Sequence, residues 1–197
     1  VSTRERILDA AAEVMREHGV AHATTKHIAR TAGYSEALLY KHFRDKEEIL
    51  LHVLRERMPA FSATATPGKA TVEANLITIA HQALRFYRDG FPMMASMVAQ
   101  PSLMSATRQS LGRHGAGPQH PVTLLAGYLQ AEQQLGRVTA DADPDILAAL
   151  LMGACFQQGF LRYFSQGPDF PQSAAAELVQ AILPALEPTT WPATRDK

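Results

Sequence analysis

The chemistry of this chain begins with Tyr40, Lys41 and His42, which close a short stretch opened by Ser35. A helix that reads the floor of a DNA major groove, roughly 12 Å wide, needs polar, aromatic or basic side chains on its outer face. These three supply all of those types. The charge around them agrees. Residues 24–46 contain Lys26, Arg30, Lys41, Arg44 and Lys46 against Glu36 and Asp45, a net of +3, and His27 and His42 add to it below neutral pH. The whole chain sets 19 Lys+Arg against 19 Asp+Glu, so the remainder carries −3. A net charge of zero argues against a uniformly basic nucleic-acid binder, but not against a local basic patch.

The elements that must hold these residues are short helices with readable ends. Thr24 stands as N-cap to a helix over 25–31 with Ile28, Ala29 and Ala32 on one face, and Gly33 follows it as the C′ residue. Ser35 caps a second helix carrying Leu39 and Phe43 at i, i+4. Two short helices joined by Gly33-Tyr34-Ser35 are the pattern of a helix-turn-helix. Before them, Ser2-Thr3-Arg4-Glu5 has capping-box form, and Ile7, Leu8, Ala11, Val14 and Met15 define a helix predicted to end at Gly19. After them, Asp45 opens a fourth helix with Ile49, Leu50, Val53 and Leu54 facing inward.

The whole pattern is helical, with no convincing period-two segment. Pro59 to Gly68 is rich in breakers. Longer helices are expected near 70–89, 92–113, 120–136, 144–165 and 172–186, with Gly90 and Pro92 separating the first two. At 197 residues, 46% apolar and 19% charged, the chain is globular rather than disordered. The single Cys155 rules out an intrachain disulfide and fits a reducing, cytoplasmic setting. The N-terminus is charged and lacks the apolar stretch of a signal peptide. The longest apolar run, Ile146 to Phe156, is about half of what a membrane span needs. Gln157, Gln158 and Arg162 also argue against a membrane.

In order, Thr24-Thr25-Lys26-His27-Ile28-Ala29, Ala32-Gly33-Tyr34-Ser35, Leu39-Tyr40-Lys41-His42-Phe43 and Lys46-Glu47-Glu48-Ile49-Leu50 resemble the DNA-binding domain of TetR-type transcriptional regulators, as does Arg6-Ile7-Leu8-Asp9-Ala10-Ala11 through Gly19. The resemblance covers residues 4–55. It implies an all-α protein. A three-helix helix-turn-helix domain over 1–58, its fourth helix leading onward, would be followed over 59–197 by a helical effector-binding and dimerisation domain. It also implies roles. Thr24, Thr25, Tyr40, His42 and Lys46 resemble phosphate contacts, and Lys26 sits where the family reaches a base edge, with guanine O6/N7 its natural target. Ser35 caps the recognition helix, and Glu36, Ala37 and Leu38 occupy its base-reading positions. Leu38 departs from the small or polar residue more usual there; it either meets a thymine methyl or is partly structural. Glu36 would be repelled by phosphates, so it reads cytosine N4 or points away. Lys41 and Arg44 are candidates for nonspecific phosphate contacts.

In the second half, 146–164 is apolar nearly all round, which requires burial on several sides. A two-fold four-helix interface explains this economically and is what the resemblance implies. It would use Leu147, Leu150, Leu151, Ala154 and Leu161 with Leu178, Val179, Ile182 and Leu183. Such a homodimer would read a palindromic operator. The middle helices would hold a small, largely apolar effector among Phe86, Tyr87, Met93, Met94, Met97, Met104, Phe156 and Phe160, although plain core packing explains the same residues. Arg85, Arg88, Arg108 and His81 could answer an anionic group. His114 and His120 match no metal spacing, so neither metal nor cofactor is expected. The implied function is a repressor released from its operator by the effector. The competing readings are a regulator that ignores ligands and, from another class, an all-helical enzyme. No G-x-S-x-G, H-E-x-x-H, P-loop or G-x-G-x-x-G occurs to support the enzyme.

Overall fold

The computed structural model describes residues 1–57, 61, 64–112 and 117–187, with the side chains of 21, 22, 106 and 110–112 left aside. Among them every regular element is helical: α1 Thr3–His22, α2 Thr25–Ala32, α3 Glu36–His42, α4 Lys46–Glu56, α5 Val72–Val98, α6 Pro101–Gly112, α7 His120–Gln134, α8 Pro144–Phe164 and α9 Gln172–Ile182. A short 3-10 turn, Leu183–Ala185, closes the series. The chain divides into two compact units, one of Val1–Ala60 with Asp89–Gly117 and one of Phe61–Arg88 with Pro118–Lys197. The expected domain boundary at 58/59 and the candidate His114 lie outside the described residues.

The first unit is built on α1. Ile7, Leu8, Ala11, Val14 and Met15 are buried, as their 3.6-residue spacing requires, and they meet Ile28 and Ala29 of α2, Leu39 of α3 and Ile49, Leu50 and Val53 of α4. The helix does not stop at Gly19. Gly19 takes φ 72°, ψ 165°, conformations open to a residue without Cβ, and the chain then resumes a last turn to His22. The Val20 amide beyond this kink donates to Ser96 Oγ at 3.4 Å.

The break expected at Gly90 and Pro92 is also displaced. α5 runs through both to Val98, and the chain leaves the helix only at Gln100, ahead of Pro101, the first residue of α6. One proline removes one N–H and leaves the rest of the ladder in place. The residue before a proline is itself pushed out of helical conformation, and a proline is well placed to start the next helix. The continuous helix sends Met93 into the core of the first unit, where it is 1% exposed; Leu103 of α6 joins it and Met97 packs against it.

In the second unit α7 packs on α8, and α8 on α9. Buried residues of α5 (Leu76, Ile79, Ala83, Leu84), α7 (Leu125, Leu129) and α8 (Leu151, Met152, Cys155) form its interior. Glu132 is wholly buried. Its carboxylate accepts from the Tyr128 hydroxyl (2.8 Å) and the Gly68 amide (3.2 Å) and faces Arg137 Nε at 3.2 Å. The charge is therefore paired, as burial demands. α8 is long and apolar enough to cross a membrane by length and composition alone, with 33% of its apolar window buried inside this fold.

Candidate nucleic-acid interface

Three consecutive N-caps set the recognition elements. Thr24 Oγ1 accepts from the His27 amide (3.1 Å), Ser35 Oγ from Leu38 (3.3 Å) and Asp45 Oδ1 from Glu48 (2.8 Å). Glu48 reaches back to the Arg44 amide at 2.6 Å, so the start of α4 is held from both sides. Between α2 and α3 the turn passes through Gly33 in left-handed conformation (φ 73°, ψ 27°), and the Tyr34 amide closes onto Ala29 O at 2.9 Å.

With Ile28, Ala29, Leu39 and Phe43 buried, the remaining side chains are turned outward. Thr24, Lys26, Ser35, Glu36, Ala37, Lys41 and His42 are exposed, as is Tyr40 with 53% of its surface free. Thr25, Leu38 and Lys46 are half-buried. For Leu38 this leaves an outward portion beside a packed one. Thr25 stands differently from its expected role as a phosphate donor, because its hydroxyl donates to Glu36 Oε1 and so joins the N-termini of α2 and α3. Arg44 is bound to Asp45 at 2.8 Å, and this hydrogen bond holds the Asp45 carboxyl below its usual range.

An ionic clasp between α1 and α4 has no sequence signature. Arg4 donates to both oxygens of Glu56 (2.7 and 2.9 Å) and lies 3.0 Å from His52 Nδ1, while Arg57 donates to Asp9 (2.7 Å) and Glu5. The Arg4 hydrogen bond, helped by His52 and opposed by partial burial, depresses the Glu56 carboxyl to about 2. Acidic and basic residues at both helix ends were visible, but nothing in the order of residues pairs groups about fifty positions apart.

The apolar candidates separate into two sets. Met93, Met94, Met97 and Met104 belong to the first unit, where Met93 lies in the core and Met97 packs against it. Phe86, Tyr87 and Phe156 do meet. The Phe86 and Tyr87 ring centroids are 5.1 Å apart and those of Tyr87 and Phe156 5.4 Å, both edge-on. Burial, with the neighbouring Cys155, pushes the Tyr87 hydroxyl up to about 12. Phe160 contacts Phe164. His81 is engaged with Phe170 O (3.0 Å), and Arg88 with Asp169 (2.6 Å).

The candidate interface residues also divide. Leu147, Leu151 and Val179 are buried within the chain, Ala154, Leu178, Ile182 and Leu183 are half-buried, and Leu150 and Leu161 are exposed at 59% and 47%. Ile146 and Phe164, not expected on the sequence, complete an outward apolar row with Leu150 and Leu161 at helical spacing.

The sequence of this region settles its affiliation. Residues 7–53 match the model for bacterial regulatory proteins of the tetR family. The N-terminal domain is a tetR-family helix-turn-helix. The HTH-type transcriptional regulator SrpR of Pseudomonas putida is 45% identical over 65 residues, 33% of this chain and 30% of SrpR, so the chain covers less than a third of that relative. The fold extends further than the identity. The fatty acid degradation regulator FadR from Bacillus halodurans superposes with TM-score 0.66 at 21% identity, over 93% of this chain and 95% of its own. The transcriptional regulator FadR from Bacillus subtilis, solved in complex with stearoyl-CoA, gives 0.66 at 19% identity over 93% and 99%. The tetR-family match covers α2, α3 and most of α1 and α4, the elements that carry Lys26, Tyr40 and His42.

Proposed function

We propose that this chain is a cytoplasmic homodimeric transcriptional repressor that binds a palindromic operator and releases it when a largely apolar small molecule binds the helical domain. The observation that carries the DNA-binding part is the capped pair α2 and α3, whose exposed residues Lys26, Tyr40, Lys41 and His42 stand within a segment of net charge +3. Lys26 addresses a base edge; Thr24, Tyr40, His42 and Lys46 address phosphates. The outward row Ile146, Leu150, Leu161 and Phe164 supports self-association, since apolar side chains in one row gain by leaving water. The meeting of Phe86, Tyr87 and Phe156, with the stearoyl-CoA complex of a protein of the same fold, supports an apolar effector. Release follows as a population shift, with coupling of roughly 1–3 kcal/mol lowering operator affinity about 5- to 150-fold.

Selection of bound DNA from a random library tests this reading. A two-fold symmetric motif is the expected result, and the selected operator then serves to titrate long-chain acyl compounds. An asymmetric or absent motif overturns dimeric readout; affinity unchanged by every apolar compound tried removes the effector and leaves a constitutive regulator.

A further inference from the structure

Glu36 is the anion on a surface that should repel anions. It is exposed at the first position of α3, and no Lys, Arg or His nitrogen among the described residues pairs with it. Its carboxylate is nevertheless not free to swing, because the Thr25 hydroxyl donates to Oε1. Thr25 thereby gives up the hydrogen it would offer a phosphate. Oε2 is left to accept from whatever the groove presents.

A carboxylate accepts hydrogen bonds and donates none. The edges of the major groove carry two amino donors, cytosine N4 and adenine N6. Adenine sets the N7 acceptor beside its amine, and guanine offers two acceptors, N7 and O6. Thymine offers O4 and a methyl. A carboxylate with one oxygen already satisfied needs one donor with no acceptor beside it, and cytosine alone matches. We infer that Glu36 is a specificity-determining residue that reads a cytosine N4 amine in each operator half-site, with Thr25 as its positioning residue. This rests on the DNA-binding reading above. It converts a repulsive charge into a filter: at a base that presents an acceptor Glu36 adds repulsion, and at a cytosine one amine offsets it.

The test is selection from random DNA with the wild type, Glu36→Gln, Glu36→Ala and Thr25→Val, followed by titration against the wild-type operator and its single-base variants. The wild type should require cytosine at one position of each half-site, by about tenfold or more over the other bases. Glu36→Gln, whose amide oxygen still accepts from Thr25, presents an NH2 donor in place of the free carboxylate oxygen and should move that position from cytosine to a base with an acceptor there. Glu36→Ala should flatten it to within about twofold while binding random DNA more tightly than the wild type. Thr25→Val should weaken the preference there and leave the other positions unchanged. A wild-type motif that persists unaltered in Glu36→Gln and Glu36→Ala overturns the inference and leaves the regulator standing. Absence of any wild-type motif overturns both.

Discussion

Arg4 and Glu56 are bound to each other through two hydrogen bonds, at 2.7 and 2.9 Å, although 52 positions separate them. The contact joins the first turn of α1 to the last turn of α4, the helix that leads out of the DNA-binding domain. Because the folded Glu56 carboxyl titrates near 2 instead of near 4.5, the folded state prefers it ionised. The stabilisation is complete above about pH 4.5 and is lost as pH falls through 2. Both side chains are part-exposed, so solvent screening limits the contribution to about 1 kcal/mol. Glu56→Gln should cost that much in urea unfolding at pH 7, and the gap from the wild type should close towards pH 2. A gap independent of pH would mean that the contact contributes nothing through charge.

Phosphate and base contacts should separate in their salt dependence. Lys46→Ala should weaken binding to operator and random DNA alike and reduce the slope of log K against log salt by about 1. Tyr40→Phe should weaken both by roughly threefold to tenfold with the slope unchanged, as for a neutral hydrogen bond. Lys26→Ala should relax selectivity at one base step. Fluorescence anisotropy across a salt series distinguishes the three.

Replacing Leu150 or Leu161 with Glu places a charge on the outward row of α8 without touching the interior. The variants should keep their helical circular dichroism, sediment as monomers, and lose operator affinity by more than tenfold through loss of the second half-site. A variant that stays dimeric would move the interface away from this face.

Gly159 marks a close approach of α8 to α5. A Cβ there would lie 2.8 Å from Tyr87 Cβ and 2.9 Å from the Arg88 amide nitrogen. Gly159→Ala should therefore destabilise the protein by about 1–3 kcal/mol. Gly127, in mid-α7 with nothing within 4 Å of its would-be Cβ, provides the contrast. Gly127→Ala should stabilise by about 0.5–1 kcal/mol, the helix-propensity gain alone. Thermal melts of both read the sign directly.

What was legible in the residues was local. Thr24, Ser35 and Asp45 could be read as caps because a cap bonds an amide three positions on, and the structure shows all three bonds. Ile28, Leu39 and Phe43 could be read as core because their spacing leaves one face. What failed was non-local or competitive. Gly90 and Pro92 disfavour a helix, but the packing of Met93 and Leu103 in the first unit outweighs them. In α8 every face is apolar, so composition could not tell the inward Leu147 and Leu151 from the outward Leu150 and Leu161. The Thr25–Glu36 bond depends on how two helices cross, which no spacing along the chain reports.

The path of α5 bears on how this protein can be dissected or recombined. A DNA-reading head cut at the breaker-rich stretch around Pro59 would lack Met93 and Leu103, two buried side chains that its core receives from downstream. Truncations of this kind typically cost 2–5 kcal/mol per large aliphatic side chain, enough to empty a marginal folded state. A fragment ending there is thus expected to be largely unfolded. Chimeras that graft a foreign sensor onto this head should carry residues 89–112 with the head, so that the seam falls within α5 rather than at the breaker-rich stretch that invites the cut.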